Sequence, residues 1–235
     1  MRWIALVAAF SVVTACDTPT DTAPKPAPTT TKSTVSRLSV DQATKRLGPI
    51  KRRMEPIAES ECRARTSGAN CDFRISVDQR RDVPANAYQS VDSNGRPQIT
   101  FTAALISDVQ NDHELAFVMG HEAAHHIAGH LNRQQADAAA GALIVGVLAG
   151  LAGANAATLD AAMDAGALVG SRAYSKNYEL EADRLGTVIT KKSGYDPVRG
   201  AQYFTRIPDP GNVFLGTHPP NNQRIQTVRQ TAAKM

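Results

Sequence analysis

His121-Glu122-Ala123-Ala124-His125 is the stretch on which the reading of this chain turns. On a helix, residues four apart stand about 40° apart around the axis, so two imidazoles in this arrangement reach one metal ion. The glutamate after the first histidine lies close enough to act on a water at that metal. Alone, the pattern is a moderate signal, because three fixed positions in five recur by chance. The competing reading is a helix whose histidines are surface or core residues, and the surrounding sequence decides between the two.

Asp112 reads as the N-cap of a long helix over about residues 112–131, with Leu115, Phe117, Val118, Ile127 and Leu131 at its buried positions. Five of the six histidines fall in it. His113, His126 and His130 point away from the 121/125 face or lie too far along it, and read as packing or surface residues. A catalytic zinc site takes three protein ligands and keeps one position open. Tyr178-Glu179-Leu180-Glu181-Ala182-Asp183, on a second helix expected over about 167–190, supplies the third. Glu179 and Asp183 are four apart and share a face, whereas Glu181 points elsewhere. One carboxylate of the pair binds metal, and the other accepts a hydrogen bond from a ligand histidine and fixes its tautomer. Without the 121–125 motif the same two acids would read as an exposed acidic face.

The 235 residues suit one domain plus a leader, and 42% apolar with 20% charged residues is an ordinary globular balance. The net charge of +4 is spread along the chain. Its densest knot, Lys51-Arg52-Arg53, is too short to argue for nucleic acid, and no basic and aromatic residues interleave as in single-strand binders. Met1-Arg2 precedes an apolar run over residues 3–15 that ends at Cys16, which describes a secretory signal peptide too short to span a bilayer. Val13-Thr14-Ala15-Cys16 resembles a bacterial lipobox, so Cys16 is expected to carry lipid at the mature N-terminus. Residues 16–36 are rich in Pro and Thr and read as a tether. The domain is expected over 37–235. Removing Cys16 leaves Cys62 and Cys71, an even pair expected to form a disulfide in an exported protein.

Helical spacing over about 40–62 precedes strand patterns at 73–77, from 86 onward and at 98–102, with a turn at Ser93-Asn94-Gly95-Arg96. Residues 138–157 carry no charge and are about as long as a membrane span. Two readings compete, a membrane-dipping segment and a tightly packed helical hairpin. The Ala and Gly content favours the hairpin, since lipid burial rewards Leu and Ile far more. Such a hairpin beside the 121–125 helix suggests a lid. No Gly-rich phosphate loop, CxxC pair or nucleophile elbow is present.

The order of the motifs is more specific than any one of them. Asn86-Ala87-Tyr88 precedes a strand, and Asp112-His113-Glu114-Leu115 leads into the histidine run, with His130 ending that helix. Tyr174-Ser175-Lys176 then precedes Glu179-Leu180-Glu181-Ala182-Asp183. Gly194-Tyr195-Asp196-Pro197 and Thr217-His218-Pro219-Pro220, with Arg224, complete the series. Over about residues 40–230 the chain resembles zinc metallopeptidases of the HtpX/CAAX-prenyl-protease type, specifically their periplasmic lipoprotein branch. Many members carry arginine where Lys176 stands, a departure outside the metal shell.

That resemblance implies an α+β, mostly helical, gluzincin-type fold with a small sheet at the edge of the active-site cleft. It implies that His121, His125 and Glu179 hold one zinc ion per chain. Glu122 would be the general base that also passes a proton to the leaving amine, and Asp183 would stand behind a ligand histidine. Residues 98–102 would be the edge strand to which an extended or unfolded polypeptide adds its backbone. His218 reads either as a loop residue held by Pro219 or as a group near zinc, donating to the oxyanion or serving as a removable fourth ligand. The implied function is endoproteolysis of misfolded or stalled envelope proteins by a lipoprotein facing the periplasm. The alternative is an envelope chaperone or assembly factor that keeps the zinc fold and cleaves little.

Overall fold

Ser39 opens the first helix through a capping box: its hydroxyl accepts from the Gln42 N–H, and the Gln42 side chain accepts from the Ser39 N–H. In this computed structural model the described residues are 37–173, 175–211 and 218–235. The expected leader over 1–15, the tether over 16–36 and the lipid site at Cys16 lie outside them. Helix α1 (Val40–Arg65) buries Leu47, Ile50 and Met54 at the spacing its sequence shows. Cys62 in its last turns is bonded to Cys71, with Cα atoms 5.7 Å apart.

Three short strands follow, β1 (Arg74–Val77), β2 (Ala87–Val91) and β3 (Pro97–Phe101). They lie in the order β1-β3-β2, with β1 parallel and β2 antiparallel to β3. This corrects one expectation, because residues 98–102 lie in and just beyond the central strand and cannot offer an edge. Ile99 and Phe101 on β3 are fully buried, which is why that strand sits in the middle. The open edge belongs to β2. Thr102 donates its N–H to Asn86 and Asp92 donates to Arg96. By the alternation of an antiparallel ladder, Ala87, Gln89 and Val91 then point their backbone groups outward. Pro97 faces Val91, at a position where the ladder requires no donor.

Thr102 caps the short α2 (Ala103–Asp108), and α3 (Asp112–Ile127) follows. Its N-cap is Asn111 rather than Asp112, the Asn111 side chain accepting from the Glu114 N–H. Nor does α3 run to residue 131. Gly129 adopts φ 67°, a left-handed turn that glycine takes without steric cost, and α4 (His130–Leu151) starts afresh. His130 therefore belongs to a different helix from His121 and His125. The second expected helix falls on the end of α5 (Ala156–Ala173) and on α6 (Ser175–Lys192).

Helices α4 and α5 form the packed hairpin. A Cβ on Gly141 would lie 2.1 Å from the Gly166 carbonyl, and one on Gly170 would lie 2.1 Å from that of Asp137, so the two backbones touch. Among the described residues of the hairpin, His130, Leu131 and Gln134 near its base line the pocket beside Glu122 and His125. Helix α7 (Pro197–Gly200), capped by Asp196, a 3-10 turn (Ala201–Thr205) and α8 (Asn221–Ala232) close the fold. The fold is α+β and mostly helical, with one small sheet. The buried hydrophobic residues run from Ala43 to Val228, inside one compact unit over 35–235.

Candidate metal centre

Helices α3 and α6 cross where two glycines face each other. A Cβ on Gly120 would lie 2.8 Å from the Gly186 carbonyl, and one on Gly186 would lie 2.8 Å from the His121 nitrogen. This contact brings the α6 carboxylates against the α3 imidazoles. The Nε2 atoms of His121 and His125 are 3.0 Å apart. Glu179 places Oε2 3.5 Å from His121 Nε2 and Oε1 3.3 Å from His125 Nε2. A tetrahedral zinc with bonds of about 2.0–2.1 Å sets its ligand atoms about 3.3–3.4 Å apart, so the donor triangle has the size of one zinc ion's coordination face. Glu179 Oε2 is buried and makes no well-formed hydrogen bond, an acceptor that a cation would satisfy. The residues present fit the metal.

The two imidazoles are held from behind by different means. His121 Nδ1 lies 3.0 Å from Asp183 Oδ1, which leaves Nε2 to face the triangle. Asp183 is fully buried and takes a two-pronged grip from Arg224, Nε to Oδ2 at 2.8 Å and Nη2 to Oδ1 at 2.7 Å. Burial pulls the Asp183 pKa upward, but Arg224 and His121 outweigh it and keep the carboxyl below its ordinary value. Burial likewise raises that of Glu179, and the imidazoles of His121, His125 and His218 overcome it, holding the acid well below the usual range. For His121, burial and Arg224 press downward while Asp183 and Glu179 prevail, raising its pKa to about 9. That proton must leave when a metal binds.

His125 is held by a partner that its sequence neighbourhood did not advertise. Its Nδ1 lies 2.9 Å from Nδ1 of His130, whose Nε2 faces Glu181 Oε2 at 3.3 Å. With His125 Nε2 given to the triangle, its Nδ1–H donates to His130, and His130 in turn donates from Nε2 to Glu181. His130 is buried and stacks on the Tyr178 ring. Burial and nearby His125 push its pKa down to about 4, so it carries the single proton that this chain of hydrogen bonds needs. His130, read as packing, and Glu181, read as pointing elsewhere, thus both reach the site. Arg224 stood in the motif series with no role attached.

Glu122 is half-buried and lines a pocket with His125, His130, Leu131, Gln134 and Gln89 of β2. The sheet edge therefore borders the cleft through β2. His218 is exposed, with Nδ1 3.1 Å from Glu179 Oε2.

Residues 45–232, most of the chain, match the profile of peptidase family M48. The chain belongs to peptidase family M48. The family is one of metallopeptidases, which work with a metal ion on polypeptide substrates. Among its relatives, the beta-barrel assembly-enhancing protease of Escherichia coli K12 is 31% identical over 158 residues, 58% of this chain and 31% of the relative. That of Yersinia pestis is 30% identical over 156 residues, 58% of this chain and 31% of the relative. A Vibrio cholerae counterpart is 34% identical over 151 residues, 57% of this chain and 30% of its own length. The matched stretch thus spans less than a third of the length of these relatives.

Proposed function

We propose that this chain is a zinc endopeptidase of the bacterial cell envelope, with the metal held by His121, His125 and Glu179. The observation that carries the reading is the donor triangle with Glu122 beside it. When bound, zinc supplies Lewis-acid activation of the scissile carbonyl and of the attacking water. Glu122 takes the proton of that water on its carboxylate and delivers it to the leaving amine nitrogen. Asp183 and His130 keep the two ligand imidazoles turned toward the triangle, and Arg224 neutralises Asp183. His218 guards the solvent side, placed to donate to the oxyanion or to compete for the site.

The substrate enters extended and adds as a strand to the open edge of β2, where Ala87, Gln89 and Val91 offer backbone groups and Gln89 borders the pocket. Misfolded or stalled envelope proteins are the substrate class this suits, since a strand edge recognises backbone that a folded protein has already paired. A leader over 1–15, lipid at Cys16, a tether over 16–36 and a catalytic domain over 37–235 support a lipoprotein of the inner or outer membrane that faces the periplasm. The names of the relatives support an envelope task in barrel assembly. Zinc content and casein cleavage of residues 37–235, wild type against Glu122→Gln, test the reading. One zinc in each protein, with cleavage lost only in the variant, is the expected result. Zinc in both and cleavage by neither would replace it with a chaperone or assembly role.

A further inference from the structure

The outer half of the α4–α5 hairpin takes no part in the site. Residues 138–159 contain no Asp, Glu, Lys or Arg. Helix α4 is long and apolar enough to cross a membrane, yet hardly any of its apolar stretch is buried in the domain. Leu143, Ile144, Val147, Leu148 and Leu151 are 64%, 61%, 53%, 61% and 82% exposed. The glycine face of the helix is already occupied by the α5 backbone, so these side chains have no packing partner across the hairpin.

We propose that the hairpin tip docks into the surface of a phospholipid bilayer and holds the cleft above it. A dimer interface would need one apolar face, but around the tip charge is absent from both helices and from the turn at Ala152-Gly153-Ala154-Asn155. A full span is opposed by Asp160 and Asp164, both exposed on α5. Asp160 stands about 6 Å along the helix from its first residue, Ala156. Apolar faces of interfacial helices sink about 5–10 Å, so Asp160 sets the depth and Val147, Leu148 and Leu151 fill it. Helix α4 is 22 residues long, about 33 Å, and begins at His130 beside the metal centre. A tether from Cys16 to residue 36 reaches at most about 70 Å, enough to anchor the domain in the same bilayer that the tip touches. This last step rests on the lipoprotein reading above.

Residues 37–235 hold every buried core residue among the described ones and contain no tryptophan, because the chain's one Trp is Trp3. Leu151→Trp in that form is therefore a lone fluorophore. Mixed with phosphatidylethanolamine/phosphatidylglycerol vesicles bearing bromines near the headgroup end of the acyl chains, it should shift to the blue and be quenched. Adding Leu148→Asp should weaken partition by roughly tenfold or more, leaving zinc content and casein cleavage in solution unchanged. Unquenched fluorescence overturns the proposal, and a dimer in sedimentation that Leu148→Asp dissociates assigns the face to a second copy. This form lacks Cys16, so its failure tells against the hairpin alone. Palmitate labelling of the full chain, wild type against Cys16→Ala, reads the anchor separately.

Discussion

A methyl group at Gly186 has no room. Its Cβ would lie 2.8 Å from the His121 nitrogen, 3.0 Å from the His121 Cα and 3.1 Å from the Gly120 carbonyl carbon. All three are backbone atoms, so no side chain can swing aside. Ordinary contact begins at 3.4 Å, and α3 and α6 must part by about 0.6 Å, the difference from 2.8 Å. Overpacking of this kind costs about 1–3 kcal/mol, a melting point lower by roughly 3–10 °C for a domain of this size. Asp183 and Glu179 ride on the displaced helix, so the His121–Asp183 contact and the donor triangle widen together. Gly186→Ala should bind zinc about 10- to 100-fold more weakly, read by competition with a chelator, with cleavage falling in step. Gly150→Ala is the control, because nothing lies within 4 Å of that Cβ, and alanine in a helix should leave stability equal or about 0.5–1 kcal/mol higher. Should Gly186→Ala melt and hold zinc like the wild type, the glycine crossing does not set the site.

Three further outcomes follow from named contacts. His130→Ala should lower zinc affinity about 10- to 100-fold by freeing the His125 ring, and His130→Gln should recover part of it; unchanged zinc retention would remove His130 from the site. Glu61 is buried on α1 between Arg65 and Lys192, and although burial raises its pKa, the two cations outweigh it and hold the carboxyl below its ordinary 4.5. A group depressed in the folded state stabilises above its unfolded value and loses that contribution as pH falls through the folded one, so Glu61→Gln should melt lower than wild type near pH 7 and the gap should narrow as pH falls below the ordinary value of 4.5; a constant gap would contradict this. His218→Ala should change the rate of casein cleavage while leaving zinc content alone, and an unchanged rate would return His218 to a plain loop residue.

The centre was more legible than its supports. His121, Glu122 and His125 are adjacent in sequence, and helical periodicity alone puts the two imidazoles on one side. Glu179 and Asp183 follow from the same rule on the second helix. What periodicity could not show is a break at Gly129, since a glycine near a helix end reads equally as a tolerated residue or as a left-handed turn. That one turn moves His130 onto a new helix and swings it back onto His125. Glu181 was discarded because neighbours of Glu179 on an ideal helix face elsewhere, yet its carboxylate meets His130 and Arg133 of α4. Strand existence was readable from alternation, but not order. Nothing in residues 98–102 announces that β3 lies between β1 and β2, because centrality is decided by which strand buries both faces. The close packing of α4 on α5 was readable through the small residues. The hairpin's exposed leucines were hidden by the same composition, since average apolarity does not say which side of a helix carries the glycines.

Anomalous scattering at the zinc edge from crystals of residues 37–235 tests the central claim most directly. The predicted result is one peak per chain, bonded to Nε2 of His121, Nε2 of His125 and the Glu179 carboxylate, with Asp183 and His130 behind the rings and Glu122 unligated beside it. A zinc held elsewhere, or these three side chains bare in protein that cleaves casein, would contradict it.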